Sequence, residues 1–99
     1  MKKVFFSLQS IEDLENIWLY IARDSPVRAD DFIDRIRDVC KESLAVFPKI
    51  GSPRDYLQKG ILAFPYKKYM IYYRYQNKRV EIIRILHGSL DMERVFQTD

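Results

Sequence analysis

The chain has 99 residues, 47% of them apolar and 31% charged, with a formal net charge of +3. That supports one soluble globular domain over residues 1–99 with a single core, and excludes a disordered or low-complexity chain. The apolar runs are too short to cross a membrane, and the lone Cys40 excludes an internal disulfide or a cysteine-based zinc site, so a reducing, cytoplasmic home is expected.

The N-terminal stretch Met1-Lys2-Lys3-Val4-Phe5-Phe6-Ser7-Leu8 has too short an apolar run for a signal segment and lacks a small-residue cleavage site. It reads as a first β-strand. Ile11, Leu14, Ile17, Trp18, Ile21 and Ala22 then fall on one helical face. Ser10 is the expected N-cap, with Glu12, Asp13 and Glu15 suited to the positive end of the helix dipole. After Asp24, Ser25 caps a second helix with Pro26 at its first position, where a missing N–H costs nothing. Its apolar face is Ala29, Phe32, Ile33, Ile36, Val39, Cys40, Ser43, Leu44 and Phe47, and Pro48 and Gly51 end it. The short turn predicts an antiparallel helical hairpin. Asp30, Asp34, Arg37, Asp38 and Lys41 form a solvated face. Leu19 and Tyr20 lie off the first helix's stripe and are the helical candidates for a partner contact.

Residues 49–60, punctuated by glycine and proline, read as a loop. Ile61–Phe64 is a short strand, and Pro65-Tyr66-Lys67-Lys68 turns into a long strand, Tyr69–Tyr75. The polar link Gln76-Asn77-Lys78-Arg79 leads to a last strand, Val80–Gly88, making a β-hairpin. The order β-α-α-β-β-β, with helices paired on one face of a mainly antiparallel sheet, predicts an α+β domain. The far face is left at least partly open for the strand arginines. Period-two alternation splits the last strand into Val80, Ile82, Arg84, Leu86 and Glu81, Ile83, Ile85, His87, and neither set is purely apolar.

Charge is uneven. Residues 54–94 carry nine basic and four acidic side chains, whereas residues 1–53 carry eight and nine. A basic sheet half favours an anionic partner, an acidic protein segment or nucleic acid; an ordinary soluble surface accounts for the charge equally well. A metal-free nuclease needs a base, an acid and cations around the phosphate. His87, Tyr66, Arg54, Arg74 and Arg84 supply those types if the fold brings them together. The plainer reading makes His87 a structural residue at a strand end, the tyrosines packing residues and Cys40 part of the core. There is no glycine-rich phosphate loop, nucleophile elbow or metal-ligand cluster, so no cofactor or metal is expected.

Asp13-Leu14-Glu15-Asn16-Ile17-Trp18-Leu19-Tyr20-Ile21-Ala22 resembles the opening helix of the ParE toxins, within the RelE/ParE superfamily of toxin–antitoxin modules. Ala29 with Phe32, then Leu44, Phe47-Pro48, Gly51 and Arg54, resembles the second helix and its exit. Tyr69–Arg74 and Ile82–Asp91 resemble the family's last two strands. The resemblance runs nearly end to end. It implies a compact RelE-like domain that acts as a cytoplasmic toxin and is neutralised by a ParD-like antitoxin. It implies inhibition of DNA gyrase without turnover, and no sequence-specific DNA binding by this chain alone. RelE-type members instead cleave messenger RNA on the ribosome, and that alternative would use Arg54, Tyr66, Arg74, Arg84 and His87. A degenerate binding module is the third reading. The tail after His87 lacks the RelE-type tyrosine, and Ala63 and Ser89-Leu90 stand where ParE chains are often basic. An antitoxin tail is typically acidic and amphipathic and folds on docking, which makes Leu19, Tyr20, Arg74 and Arg84 the expected partner-binding residues.

Overall fold

The computed structural model describes residues 2–90 and 95–96. Strand β1 (Lys3–Phe6) leads into helix α1 (Leu8–Ala22) and helix α2 (Pro26–Asp38), which continues as a π-helical stretch (Val39–Leu44). Four strands follow: β2 (Ser52–Pro53), β3 (Ile61–Tyr66), β4 (Tyr69–Gln76) and β5 (Arg79–His87). The sheet order is β1-β5-β4-β3-β2. Only the β1–β5 pair is parallel; the other pairs are antiparallel. The expected α+β architecture is therefore present, with one added element. The segment expected to be wholly loop contributes β2, a two-residue edge strand pairing with Ala63 and Leu62.

The main core lies between the helices and one face of the sheet. Leu14, Ile17, Ile36, Cys40 and Leu44 meet Ile71, Tyr73, Val80, Ile82 and Ile85 there. The hairpin turns follow backbone geometry. Asn77 and Lys78 both have positive φ, as a two-residue type I′ connection requires, and Gln76 pairs with Arg79 across it. The β3–β4 turn is tighter than the four-residue span expected: Tyr66 and Tyr69 already pair, leaving only Lys67 and Lys68 outside the ladder.

Several local expectations are corrected. The N-cap of α1 is Ser7, whose hydroxyl accepts from the Ser10 amide at 3.0 Å and donates to the Ile83 carbonyl at 2.8 Å. Ser10 lies inside the first turn, buried, with its own hydroxyl donating to Ser7 O at 2.8 Å. Because the helix starts earlier, no acidic residue falls in its first turn. Asp13 is instead buried against the sheet. Ser25 caps α2 with Pro26 behind it, as the sequence predicts. Trp18 is only half-buried, and its indole N–H donates to Asp30 at 2.7 Å.

Two irregularities redirect side chains. The β4–β5 register shifts between Tyr72 and Tyr73, which face Arg84 and Ile82, so Ile83 is the extra residue of a bulge. The bulge breaks simple alternation: Val80 and Ile82 face the helices, and beyond it Ile85 takes over that role. The π-helical stretch takes more residues per revolution than an α-helix and so lags the apolar stripe. Cys40 and Leu44 stay buried, but Phe47 is rotated out to 63% exposure instead of joining the core.

The far face of the sheet is not bare. Ile61, Ala63 and Tyr72 form a second cluster with Phe96, flanked by Leu57, Met70, Ile83 and Val95. Tyr72 and Phe96 meet edge-on at 5.4 Å between ring centroids. The expected open face is thus partly covered by Val95 and Phe96.

Candidate functional site

Strand parity sorts the candidate residues into two groups. Arg74 and Arg84 share the far face with Tyr72, and Arg54 lies close enough to Tyr72 to oppose the burial that raises its phenol pKa. Tyr66 and His87 flank Tyr69 in the sheet register and so belong to the helix-side face. Arg74 therefore stands across the sheet from Tyr66 and His87, while the Arg84 guanidinium reaches round the sheet edge to Asp13, which lines a shallow hollow with Tyr69 and His87.

Each arginine of the far face already has partners. Arg84 forms a bidentate pair with Asp13 (2.8 and 2.9 Å), its side chain 23% exposed against 7% for Asp13. The same carboxylate accepts the Ile85 amide at 2.9 Å. Strand β1 ends opposite Ile82, so from there on α1 supplies the missing edge partner through Asp13. Donating to the Asp13 carboxylate raises the Arg84 pKa above its ordinary value, against the opposing effect of burial. Arg74 donates to Gln58 Oε1 at 3.2 Å, and Arg54 donates to Pro53 O at 3.0 Å.

His87 closes β5. Its ring stands edge-on to Tyr69 at 5.5 Å, and its Nδ1 accepts the Ser89 amide at 3.1 Å and lies 2.7 Å from the Ser89 hydroxyl. Accepting from that amide places the neutral ring's proton on Nε2. The turn after the strand thus orients the ring.

Leu19 and Tyr20 are 60% and 65% exposed on α1. Tyr20 borders a groove of about 500 Å³ between α2 and the β3–β4 turn. Phe32 forms its floor with Tyr66 and Tyr69, whose rings lie 5.6 and 5.5 Å away. Arg28, Arg35, Lys67 and Lys68 line it, and its one acidic lining residue, Asp31, is paired with Arg35 at 2.9 Å. The result is an apolar trough with a positive rim. Sequence reasoning found Tyr20 but missed this groove. Its signal was there in part: Arg28 and Arg35 stand seven residues apart on one helix, and Lys67-Lys68 is a basic turn.

A helical hairpin on a five-stranded, mostly antiparallel sheet is the RelE/ParE-like architecture. Two toxin–antitoxin structures share the fold. The RelBE2 toxin–antitoxin complex from Mycobacterium tuberculosis superposes with a TM-score of 0.68 at 20% identity, over 87% of this chain and 96% of that one. The chromosomal ParDE system from P. aeruginosa does so at 0.64 and 18%, over 88% and 96%. The family model "ParE toxin of type II toxin-antitoxin system, parDE" matches residues 4–92. Toxin ParE1 of Caulobacter vibrioides is 32% identical, over 92% of this chain and 94% of its own length. Toxin ParE3 of the same organism is 30% identical, over 73% and 89%. The chain belongs to the ParE toxin family of type II toxin–antitoxin systems.

Proposed function

We propose that this ParE toxin acts in the cytoplasm as a protein inhibitor without turnover, directed at DNA gyrase and held inactive by a ParD-like antitoxin. The observation that supports the absence of turnover is that Arg74 stands across the sheet from Tyr66 and His87, and that Arg84 is held by Asp13. Acid–base cleavage needs its acid, base and phosphate-binding cations within hydrogen-bond reach of one reacting group. Gyrase as the target rests on family membership alone. For the antitoxin, the groove beside Tyr20 offers a place: an acidic amphipathic segment would lay its apolar side on Phe32 and Tyr69 and its carboxylates toward Arg28, Lys67 and Lys68. Leu19 and Tyr20 extend that surface along α1, and Arg74 and Arg84 remain proposed contacts on the far face.

The test is a supercoiling assay with purified gyrase. The toxin is expected to abolish supercoiling, and a molar excess of the antitoxin encoded beside it to restore activity. Unimpaired supercoiling, together with cleavage of ribosome-bound messenger that disappears in His87→Ala, would replace this reading with the nuclease one.

A further inference from the structure

At the opposite end of the molecule from the groove, the π-helical stretch has turned apolar side chains to the surface. Val46, Phe47 and Ile50 are 51%, 63% and 51% exposed. With Pro48 and Tyr75 they line a shallow hollow of about 480 Å³, whose charged lining residues are Lys2 and Lys49. Contiguous exposed apolar surface of this kind, rimmed by charge, marks an interaction site on a soluble domain. The segment that bears it is not loose. Tyr73 Oη donates to Pro48 O at 2.9 Å and accepts the Gly51 amide at 2.9 Å, so a buried side chain fixes both sides of the exposed turn. A Cβ at Gly51 would lie 2.7 Å from that same oxygen, which leaves the position to glycine. The hollow is therefore a preorganised surface.

We propose that this hollow is a second docking point for the antitoxin, taking an acidic segment with a large apolar anchor seated between Phe47 and Ile50; this rests on the antitoxin reading above. Charge selects the occupant. Both charged lining residues are lysines, so carboxylates flanking an apolar anchor are attracted. A second copy of this chain packed face to face would bring Lys2 and Lys49 against their own symmetry mates, which is repulsive. The groove borders Tyr69 and the hollow borders Tyr75, at the two ends of β4. Five residues of strand lie between Tyr69 and Tyr75, a straight span of about 20 Å. A linker that passes over the outer surface of α2 instead of through the core needs more than the roughly six extended residues of the straight span, and one antitoxin chain with such a linker can grip both.

The test is calorimetric titration of the full-length toxin with the purified antitoxin. Phe47→Ser with Ile50→Ser is expected to weaken binding by about tenfold or more. Circular dichroism should be unchanged, because neither side chain belongs to the core. Lys2→Gln with Lys49→Gln is expected to flatten the fall of affinity with salt. Wild-type affinity and salt slope in both double variants would overturn the proposal. So would sedimentation showing a toxin dimer that Phe47→Ser disperses, since the occupant would then be a second copy. If Lys67→Glu with Lys68→Glu weakens binding while the hollow variants do not, the groove reading stands and the hollow alone falls. An antitoxin that fails to bind wild-type toxin removes both.

Discussion

Asp13 shows how one side chain can serve two elements. Its carboxylate neutralises Arg84 and satisfies the Ile85 amide on a strand edge that β1 leaves unpaired. Asp13→Asn keeps the size but removes the charge facing a largely buried guanidinium. It should lower stability by about 3 kcal/mol, read from the urea midpoint. A loss under about 1 kcal/mol would mean that the pair behaves like an exposed surface bridge. Cys40 gives a second residue-level prediction. Burial pushes its thiol from 9.0 up to about 12, so the folded protein keeps a proton that the unfolded chain releases between those values. Stability should therefore be intact below pH 9 and fall as pH rises toward 12, by up to about 1.4 kcal/mol per unit. Burial also raises the phenols of Tyr69, Tyr72 and Tyr73 from 10.0, which adds to the decline at higher pH. In Cys40→Ala the decline should begin about one unit later, as followed by denaturation at stepped pH.

At the scale of elements, regular periodicity was legible and its interruptions were not. The two helices, the hairpin and the Ser25–Pro26 helix start follow from local patterns that need only neighbouring residues. Ser7 could not be separated from Ser10 as the cap, because the choice is made by a carbonyl 76 residues away, at Ile83. The bulge at Ile83 and the π-helical stretch are likewise set by what packs against them, and each reverses the facing of the residues beyond it. That is why Phe47 reads as core in the sequence and stands in solvent in the fold. The groove was illegible for a related reason: its walls come from α1, α2 and the β3–β4 turn, which no linear window contains. One element-level change should improve the protein. Lys78 holds a positive φ at the second position of a two-residue turn, where glycine is unstrained. Lys78→Gly, making Asn-Gly, should raise stability by roughly 0.5–1 kcal/mol in thermal or urea denaturation. An unchanged or lower midpoint would show that the lysine side chain contributes more than its backbone costs.

Considered as a whole, the molecule separates stability from recognition. The buried residues concentrate between the helices and the central strands β4 and β5, while the two surfaces proposed for the antitoxin sit at the ends of β4. Such an arrangement lets the exposed Leu19, Tyr20, Phe47 and Ile50 change without cost to the core, whereas Phe32, Tyr66, Tyr69 and Tyr75 also pack against it. It also places the apolar recognition side chains where a bound partner would shield them from solvent. The class of fold was readable from the order of the elements, and the family from the resemblance of the first helix and the last two strands to ParE toxins. The placement of Arg74 across the sheet from Tyr66 and His87 was not, since it depends on strand parity carried through the actual register.

The parallel pairing of β1 with β5 has a consequence for how the protein comes into being. Among the described strands β1 is translated before the others, yet its neighbour in the sheet is β5, translated after them. Ser7 and Asp13 likewise find their mates only in Ile83, Arg84 and Ile85. Until that late stretch emerges, the nascent chain lacks the seam between β1 and β5. A chain built this way gains its folded shape only after β5 has been translated, which would give the antitoxin proposed above time to be waiting.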